Sequence, residues 1–443
     1  MEVLQDTYKD TKIGRIPEDW RVLKFREIFD FIITSSHSKN EMVYSETNTE
    51  IYNVHYGAIH TTYKEQILDF EKYNVPRITD DSKLPRENQF LIDGDLVIVD
   101  ASEDWGGMGE CVELKNLEGR KVIGGLHTYA VRDKINAFAK GFTGYIFQNT
   151  SVRNKLASYA NVSKVYGITK GNISNVPIVI PTLPEQQKIA AILSTVDEQI
   201  STTDKIIEKS KELKKGLMQK LFSEGIGHTE FKDTKIGRIP KDWEVINLID
   251  STENGISNGV FNDPKKVGKG YKLVNVVNMY KGKSIQIKDL TLLDLNINEF
   301  EKNKVKYGDI LFTRSSLVES GIAYSNINLS KDNDITYDGH LMKISPNKEL
   351  TNVIFLSYFF RGNTSRKQFI ARGKTTTMTT IGQKDIASVK IAIPPLPEQQ
   401  KIAAILSEAD AKIEKEQTQK VQLEALKKGL MQQLLTGKKR VKV

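Results

Sequence analysis

Three short segments occur twice in this chain, and this duplication limits its architecture more than any other feature. The repeated segments are KDTKIGRIPEDW at Lys9–Trp20 and, with one change, at Lys232–Trp243; LPEQQKIAAILS at Leu183–Ser194 and unchanged at Leu396–Ser407; and LKKGLMQKL at Leu213–Leu221 and, with one change, at Leu426–Leu434. Internal repeats indicate copies of one structural unit. At 443 residues the chain is also too long for a single compact core. We therefore predict two copies of one plan.

The centres of the two copies have diverged, whereas their ends have not. Only a few positions of the centres align, including Gly94-Asp95-Leu96 with Gly308-Asp309-Ile310, and His127 with His340. A recent duplication without a functional split would leave the copies alike throughout. The pattern instead favours one retained scaffold whose two centres have different binding partners.

A long helix is predicted to begin at the second repeated segment. Pro184 and Pro397 suit the first turn of a helix, and the Glu that follows each favours its positive N-terminus. Apolar residues then recur at spacings that are mostly four and three, which is a heptad pattern. The predicted seam residues are Ile189, Leu193, Val196, Ile200, Ile207 and Leu217 in the first copy, and Ile402, Leu406, Ile413, Leu423 and Leu430 in the second. Each helix needs a partner, either the other copy's helix or its own domain alone.

The opening segment predicts a turn followed by a buried anchor. Gly14 and Gly237 break the chain, a proline follows, and Trp20 and Trp243 offer large rings to a core. We therefore predict that this segment is part of the frame of each domain.

Composition places the chain among ordinary globular proteins. Hydrophobic residues make up 39% and charged residues 27%, and no run of about 18 apolar residues predicts a membrane span. The polar start lacks the features of a signal peptide, so we expect a cytoplasmic protein without membrane contact. The single cysteine, Cys111, excludes a disulfide framework. The net charge of +8 permits nucleic-acid binding.

The divergent centres carry polar loops after predicted strands, and these loops supply the candidate DNA contacts. Arg and Lys can read guanine, Asn and Gln can read adenine, and Ser, Thr and Lys commonly hold phosphates. The candidates in the first centre are His55, Tyr56, His60, Thr61, Ser102, Lys164, Tyr166, Thr169 and Lys170. Those in the second are Asn275, Asn278, Lys281, Arg314, Ser315, Ser316, Arg372, Lys374, Thr375 and Thr376. A solvated loop remains the alternative for each residue taken singly.

Catalytic motifs are missing from the sequence. Gly373-Lys374-Thr375 resembles the end of a Walker loop, but Gln368 stands where the leading glycine belongs. Neither an adenine-methylase motif nor a glycine-rich cofactor fingerprint is present. Asp100 with Glu113-Leu114-Lys115 has the spacing of a nuclease site, yet the second copy has no counterpart. We predict a non-enzyme with no metal site.

The repeated motifs resemble those of the specificity subunit of type I restriction-modification systems. Gly-x-Ile-Pro-x-x-Trp at Gly14–Trp20 and Gly237–Trp243 is similar to that family's domain start. Pro-x-Leu-Pro-Glu-Gln-Gln-Lys-Ile at Pro181–Ile189 and Pro394–Ile402 is similar to the start of its helical regions. The resemblance covers the whole chain, in order and in duplicate.

The resemblance implies an α+β fold with two pseudo-symmetric, mixed α/β target-recognition domains. Each domain is followed by a long helix, and the two helices pair as an antiparallel coiled coil. The expected boundaries are 1–182 and 224–395 for the domains, 183–223 and 396–436 for the helical spacers, and 437–443 for a basic tail.

The resemblance also implies a function shared among several subunits. Each domain would bind one half of a bipartite, asymmetric site in double-stranded DNA. Two methyltransferase subunits using S-adenosylmethionine would methylate adenine, and translocase/nuclease subunits using ATP and Mg would cleave DNA. This chain would hold no cofactor.

Other classes of protein make different predictions. A pseudo-dimeric repressor would bind its operator tightly without methylase partners, and a single-chain methylase or nuclease would modify DNA alone. A coiled-coil scaffold would show no sequence preference.

Overall fold

The computed structural model describes residues 7–81, 84, 89–103, 107, 109–159, 161–162 and 166–443. Their contacts form two compact units, of which the first consists of two separate segments of the chain and the second of one. Unit 1 is Met1–Lys205 with Gln417–Val443, and unit 2 is Ile206–Glu416. Each unit therefore combines the domain of one copy with the end of the other copy's helix.

The first copy consists of short strands and helices followed by one long helix. Its strands are β1 (Tyr8–Thr11), β2 (Gly14–Pro17), β3 (Arg21–Lys24), β4 (Phe29–Ile32), β5 (Met42–Val43), β6 (Ile51–Val54), β7 (Ile67–Asp69), β8 (Arg77–Ile78), β9 (Leu96–Val99), β10 (Ala101–Ser102), β11 (Cys111–Lys115), β12 (Lys121–Gly124), β13 (Thr128–Asp133), β14 (Asn161–Val162), β15 (Tyr166–Gly167) and β16 (Pro177–Ile180). Its helices are α1 (Phe25–Ile28), α2 (Tyr56–Thr61), α3 (Thr150–Ser158), α4 (Lys170–Ile173) and α5 (Leu183–Ser223).

The second copy repeats this plan. Its strands are β17 (Phe231–Thr234), β18 (Gly237–Pro240), β19 (Glu244–Asn247), β20 (Thr252–Asn258), β21 (Val267–Val274), β22 (Thr291–Leu293), β23 (Ile310–Thr313), β24 (Ser315–Ser316), β25 (Ser325–Ile327), β26 (Ile335–Tyr337), β27 (Leu341–Pro346), β28 (Lys374–Thr375), β29 (Thr379–Thr380) and β30 (Lys390–Ile393). Its helices are α6 (Ile297–Asn303), α7 (Val353–Arg361), α8 (Asn363–Arg372), α9 (Gln383–Ala387) and α10 (Leu396–Leu434).

The sheets of the two units follow the same strand order, and unit 1 has one further strand, β7 or β5, at an edge of each of its two larger sheets. In unit 1 the strand orders are β4-β13-β9-β11-β7, β12-β6-β8-β5 and β10-β15-β14, with β6 and β12 parallel. In unit 2 they are β20-β27-β23-β25, β22-β21-β26 and β24-β29-β28, with β21 and β26 parallel. The pair of β3 with β16 in unit 1 also matches the pair of β19 with β30 in unit 2. The predicted mixed, pseudo-symmetric α+β plan is confirmed.

The central strand of each domain is buried on both faces. Along β9, Leu96 and Ile98 belong to one apolar cluster while Val97 and Val99 belong to another. Side chains alternate across a strand, so a strand between two clusters must be apolar at every position. β23 behaves in the same way and divides its residues between two clusters of unit 2.

A hydrogen bond joins the first repeated segment to the second in each unit, and it is buried in unit 1 and part-buried in unit 2. The Trp20 indole Nε1 donates to Glu185 Oε2 over 2.8 Å, and Trp243 Nε1 donates to Glu398 Oε2 over 3.0 Å. Both tryptophan side chains are fully buried. The predicted anchor is therefore correct, and its partner is the glutamate at the start of the following long helix.

The glutamine that follows each of these glutamates ties the helix to its own domain. Gln186 Oε1 accepts from the Ala139 backbone N–H over 2.8 Å, and its Nε2 donates to Ala137 O over 3.0 Å. Gln399 makes the same pair of bonds, with Asn352 N–H and Leu350 O. Identical side chains thus bind backbone, which leaves the side chains of the domain free to differ.

The two long helices pair in antiparallel fashion. In unit 1 the start of α5 packs with the end of α10 through Ile189, Leu193 and Leu434. In unit 2 the end of α5 packs with the start of α10 through Leu221 and Ile402. The seam residues Ile189, Leu193, Val196, Ile207, Ile402, Leu406 and Ile413 are buried, and Ile200, Leu217, Leu423 and Leu430 are half-buried.

Ion pairs in the third repeated segment fix the register of this pairing. Lys427 pairs with Asp197 in unit 1, and Lys214 pairs with Asp410 over 2.7 Å in unit 2. Each aspartate also accepts from a buried domain tyrosine, Tyr145 or Tyr358. The repeated LKKGLM segment therefore recognises the opposite helix.

A basic side chain beyond the end of each long helix contacts the glutamate that the tryptophan binds. Arg440, in the basic tail, donates to Glu185 Oε1 over 2.6 Å and also binds Asp19. In unit 2, His228 Nε2 lies 3.0 Å from both oxygens of Glu398. Burying a carboxylate is costly unless it is paired, so both units satisfy the same requirement with different residues.

Within the described part of the chain, no helix is both long and apolar enough to cross a membrane.

We expect Trp20→Phe to destabilise unit 1 by about 1–3 kcal/mol, because it removes a hydrogen bond to a buried carboxylate. Thermal unfolding of the full chain measures this change, and Trp243→Phe is the matched variant in unit 2. The DNA sequence chosen should stay the same. An unchanged melting profile or a new target sequence would show that Trp20 is not part of the frame.

Candidate nucleic-acid interface

The polar candidates of unit 1 gather around the start of α2. His55 caps this helix, because its Nδ1 accepts from the Gly57 backbone N–H over 3.2 Å. Burial, with a smaller contribution from Lys39, lowers the pKa of His55. A neutral imidazole suits this accepting role. Thr61 donates to Gly57 O, so both of these candidates already support the helix.

Tyr56 stands at the centre of a group of histidines. Its ring is 39% exposed and packs edge-on against His127, with ring centres 5.3 Å apart. His60 and His55 also face this ring edge-on. His60 Nδ1 lies 2.6 Å from Glu110 Oε2. His127 has a positive φ of 56° and directs Nδ1 to within 3.7 Å of Asp100 Oδ1.

The small sheet β10-β15-β14 joins this group. Ser102 lies opposite Tyr166 in the β10–β15 ladder. Between Ser102 and His60 lies Gly107, where an added Cβ would stand only 2.4 Å from Ser102 Oγ and 2.7 Å from His60 Cε1. His55, Tyr56, His60, Ser102 and Tyr166 are therefore brought into one region.

Two further candidates of unit 1 hold local structure. Thr169 caps α4 by accepting from the Asn172 backbone N–H. Lys170 places its ammonium over the rings of Phe31 and Tyr129. Lys164 lies outside the described residues.

Three candidates of unit 2 line one cleft. Arg314, Ser315 and Lys374 border a volume of about 920 Å³, with Phe261 and Met378 as apolar walls. Arg314 Nη1 donates to Gly339 O over 2.8 Å. Phe261 is 83% exposed, and sequence reasoning missed it because an aromatic in a polar loop gives no sign of whether it is buried.

The remaining candidates of unit 2 are largely engaged in local contacts. Asn275 and Asn278 cap each other's backbone, and Arg372 is held by Ser388 and Gln368. Thr375 bonds Thr379 through their hydroxyls. Ser316 pairs with Thr379 in the sheet. Among the described residues, the cleft lining does not include Lys281 or Thr376, and both are exposed.

Asp100, Glu113 and Lys115, whose spacing resembles that of a nuclease site, do not come together as one site. Glu113 accepts from the backbone N–H groups of Gly141 and Gly144, and burial raises its pKa to about 7. Lys115 faces Asp69, whereas Asp100 faces His127. The described residues contain no group of three His, Cys, Asp or Glu that could hold a metal.

Asp100 and Arg314 occupy equivalent backbone positions in the two units. Asp100 N–H donates to His127 O over 3.2 Å, and Arg314 N–H donates to His340 O over 3.0 Å. Their carbonyls accept from Ile168 and Ile381 in the same way, over 2.9 and 3.0 Å. One backbone frame thus presents an acid in unit 1 and an arginine in unit 2.

Comparison with known proteins identifies the family. The model of the type I restriction modification DNA specificity domain matches the chain twice, at residues 17–212 and 240–425. The chain belongs to this family. Each match spans one copy of the duplicated plan, from just before the tryptophan anchor into the long helix.

Individual relatives of the family align along the whole chain. The type I restriction enzyme MjaVIII specificity subunit of Methanocaldococcus jannaschii is 28% identical over 99% of this chain and 97% of its own. The solved type I S subunit from M. genitalium shares the fold, with a TM-score of 0.53 at 13% identity over 94% of this chain and 96% of its own. A chain from a structure on complex assembly of the type I R-M system has a TM-score of 0.57 at 15% identity, over 95% of this chain and 99% of that one.

Proposed function

We propose that this chain selects the DNA target of a type I restriction-modification complex. Unit 1 reads one half of a bipartite, asymmetric site and unit 2 reads the other. The observation that carries this proposal is the duplicated frame whose equivalent positions after the central strand differ in chemistry, Asp100 in one copy and Arg314 in the other.

The proposal assigns methylation and cleavage to partner subunits. Two methyltransferase subunits with S-adenosylmethionine modify adenine, and translocase/nuclease subunits with ATP and Mg cut DNA. The relatives are named specificity subunits, and a structural neighbour comes from work on complex assembly of a type I system.

A repressor that acts without methylase partners is less well supported. The frame would suit such a protein equally well, but the relatives compared with this chain carry specificity-subunit names. We also propose that the protein works in the cytoplasm, where it would meet chromosomal DNA.

Co-purification tests the assignment of partners. Tagged full-length chain, expressed together with the neighbouring genes of its host, should purify with a methyltransferase subunit at two copies per chain. The mass of the complex measures this ratio, and the chain alone should leave DNA unmethylated. Tight, sequence-specific binding by the chain alone, with no retained partner, would favour the repressor.

The paired helices offer a test of how the distance between half-sites is set. Nine residues separate Asp204 from Lys214 in α5, and nine separate Asp410 from Lys420 in α10. Deleting 206–209 and 412–415 together shortens both helices by about 6 Å, or nearly two base pairs, while keeping the ion pairs on either side.

We expect this double deletion to shorten the spacer of the methylated site and to leave both half-sites unchanged. Methylome sequencing of cells that carry the variant measures the spacer directly. Deleting only 206–209 is the control. It shortens α5 but not α10, so the Lys214–Asp410 and Lys427–Asp197 pairs can no longer form together, and stability should fall. An unchanged spacer in the double deletion would contradict the role of the helices.

A further inference from the structure

We infer that the residue immediately after each central strand selects one base pair of each half-site, with Arg314 recognising guanine and Asp100 recognising cytosine. This inference rests on the proposed function and names the side chains that carry out the reading. It derives from four properties of these two positions: rigid placement, equivalence, opposite chemistry and access.

Rigid placement comes from the core beneath. β9 and β23 are buried at every residue, and Asp100 and Arg314 follow β9 and β23 directly. Each residue is then fixed on both sides by backbone hydrogen bonds, from its N–H to a histidine carbonyl and from an isoleucine N–H to its carbonyl. A base-reading side chain needs a backbone that is held this firmly, because a loose support would leave its direction undefined.

The Arg314 side chain has the chemistry and orientation of a guanine reader. Its Nη1 donates to Gly339 O, which fixes the plane of the guanidinium. Among the described residues, Nε and Nη2 have no hydrogen-bond acceptor. The planar fork lines the cleft beside Lys374. Arginine paired with guanine O6 and N7 is the commonest specific contact in the major groove.

The Asp100 side chain has the complementary chemistry. Its Oδ1 is buried and lies 3.7 Å from His127 Nδ1, while the side chain as a whole is 23% exposed. A carboxylate accepts from the N4 amino group of cytosine. It also repels guanine and thymine, which present only acceptor atoms on the major-groove edge, and such repulsion adds to specificity.

The equivalence of the two positions argues against a purely structural role. The central contacts of the frame keep the same residues in both units, namely the Trp–Glu pair and the bridging glutamines. Here the backbone contacts are kept and the charge is reversed. The neighbouring histidines also differ in their contacts, with His127 facing Asp100 and His340 facing Asp338.

The test is selection of bound duplexes from a randomised DNA library, using the full complex of chain and methyltransferase. Arg314→Lys keeps the charge but loses the planar fork, so guanine preference at one position of one half-site should fall about 5- to 150-fold. Asp100→Asn should relax one position of the other half-site. All remaining positions should keep their preferences.

Lys374→Ala is the matched control, because it removes a cation from the same cleft without removing a fork. It should weaken binding to all sequences alike and leave the selected sequence unchanged. The inference is overturned if Arg314→Lys and Asp100→Asn select the wild-type sequence at every position. It is also overturned if Arg314→Lys and Arg314→Gln both fail to fold while Lys374→Ala folds, since Arg314 would then support structure. Absence of any preference in the wild-type complex would instead refute the proposed function itself.

Discussion

The hydrogen bond between tryptophan and glutamate is the interaction on which the rest of each unit depends. A carboxylate that is removed from water must be paired, and the partners of Glu185 come from distant parts of the chain: the indole of Trp20 and the guanidinium of Arg440. In unit 2, Trp243 and His228 serve Glu398 in the same way. Domain start, helix start and the segment after the opposite helix thus meet at this carboxylate, which explains why the first two of these segments are repeated.

The repeated segments bind mainly one another and the backbone groups of the centres. The side chains of the two centres are therefore free to differ. Gln186 and Gln399 hold carbonyl and amide groups, which any sequence can supply. A buried tyrosine from each centre reaches an aspartate of the adjoining long helix. Loops after the central strands therefore inherit a fixed backbone and can carry either sign of charge.

Local patterns in the sequence were sufficient to predict the helices that begin at Leu183 and Leu396, the burial of Trp20 and Trp243, and the mixed α+β plan. Heptads and large aromatic residues report on burial directly. The sequence could not indicate that Asn275, Asn278 and Thr169 serve as caps, because capping depends on the conformation of each loop. It also could not divide each long helix between two units, since that depends on contacts between residues far apart in the chain.

Exchange of one centre for the other tests most directly whether the repeated segments support the fold while the divergent centres select the DNA sequence. Residues 25–176 can be replaced by 248–389, since both segments lie between equivalent paired strands and both supply the tyrosine and the backbone groups that the helix requires. The measurement is methylome sequencing of cells that express this chain with its methyltransferase partner. We expect the target to contain two copies of the second half-site. Retention of the original asymmetric target would contradict the assignment of sequence reading to the divergent centres.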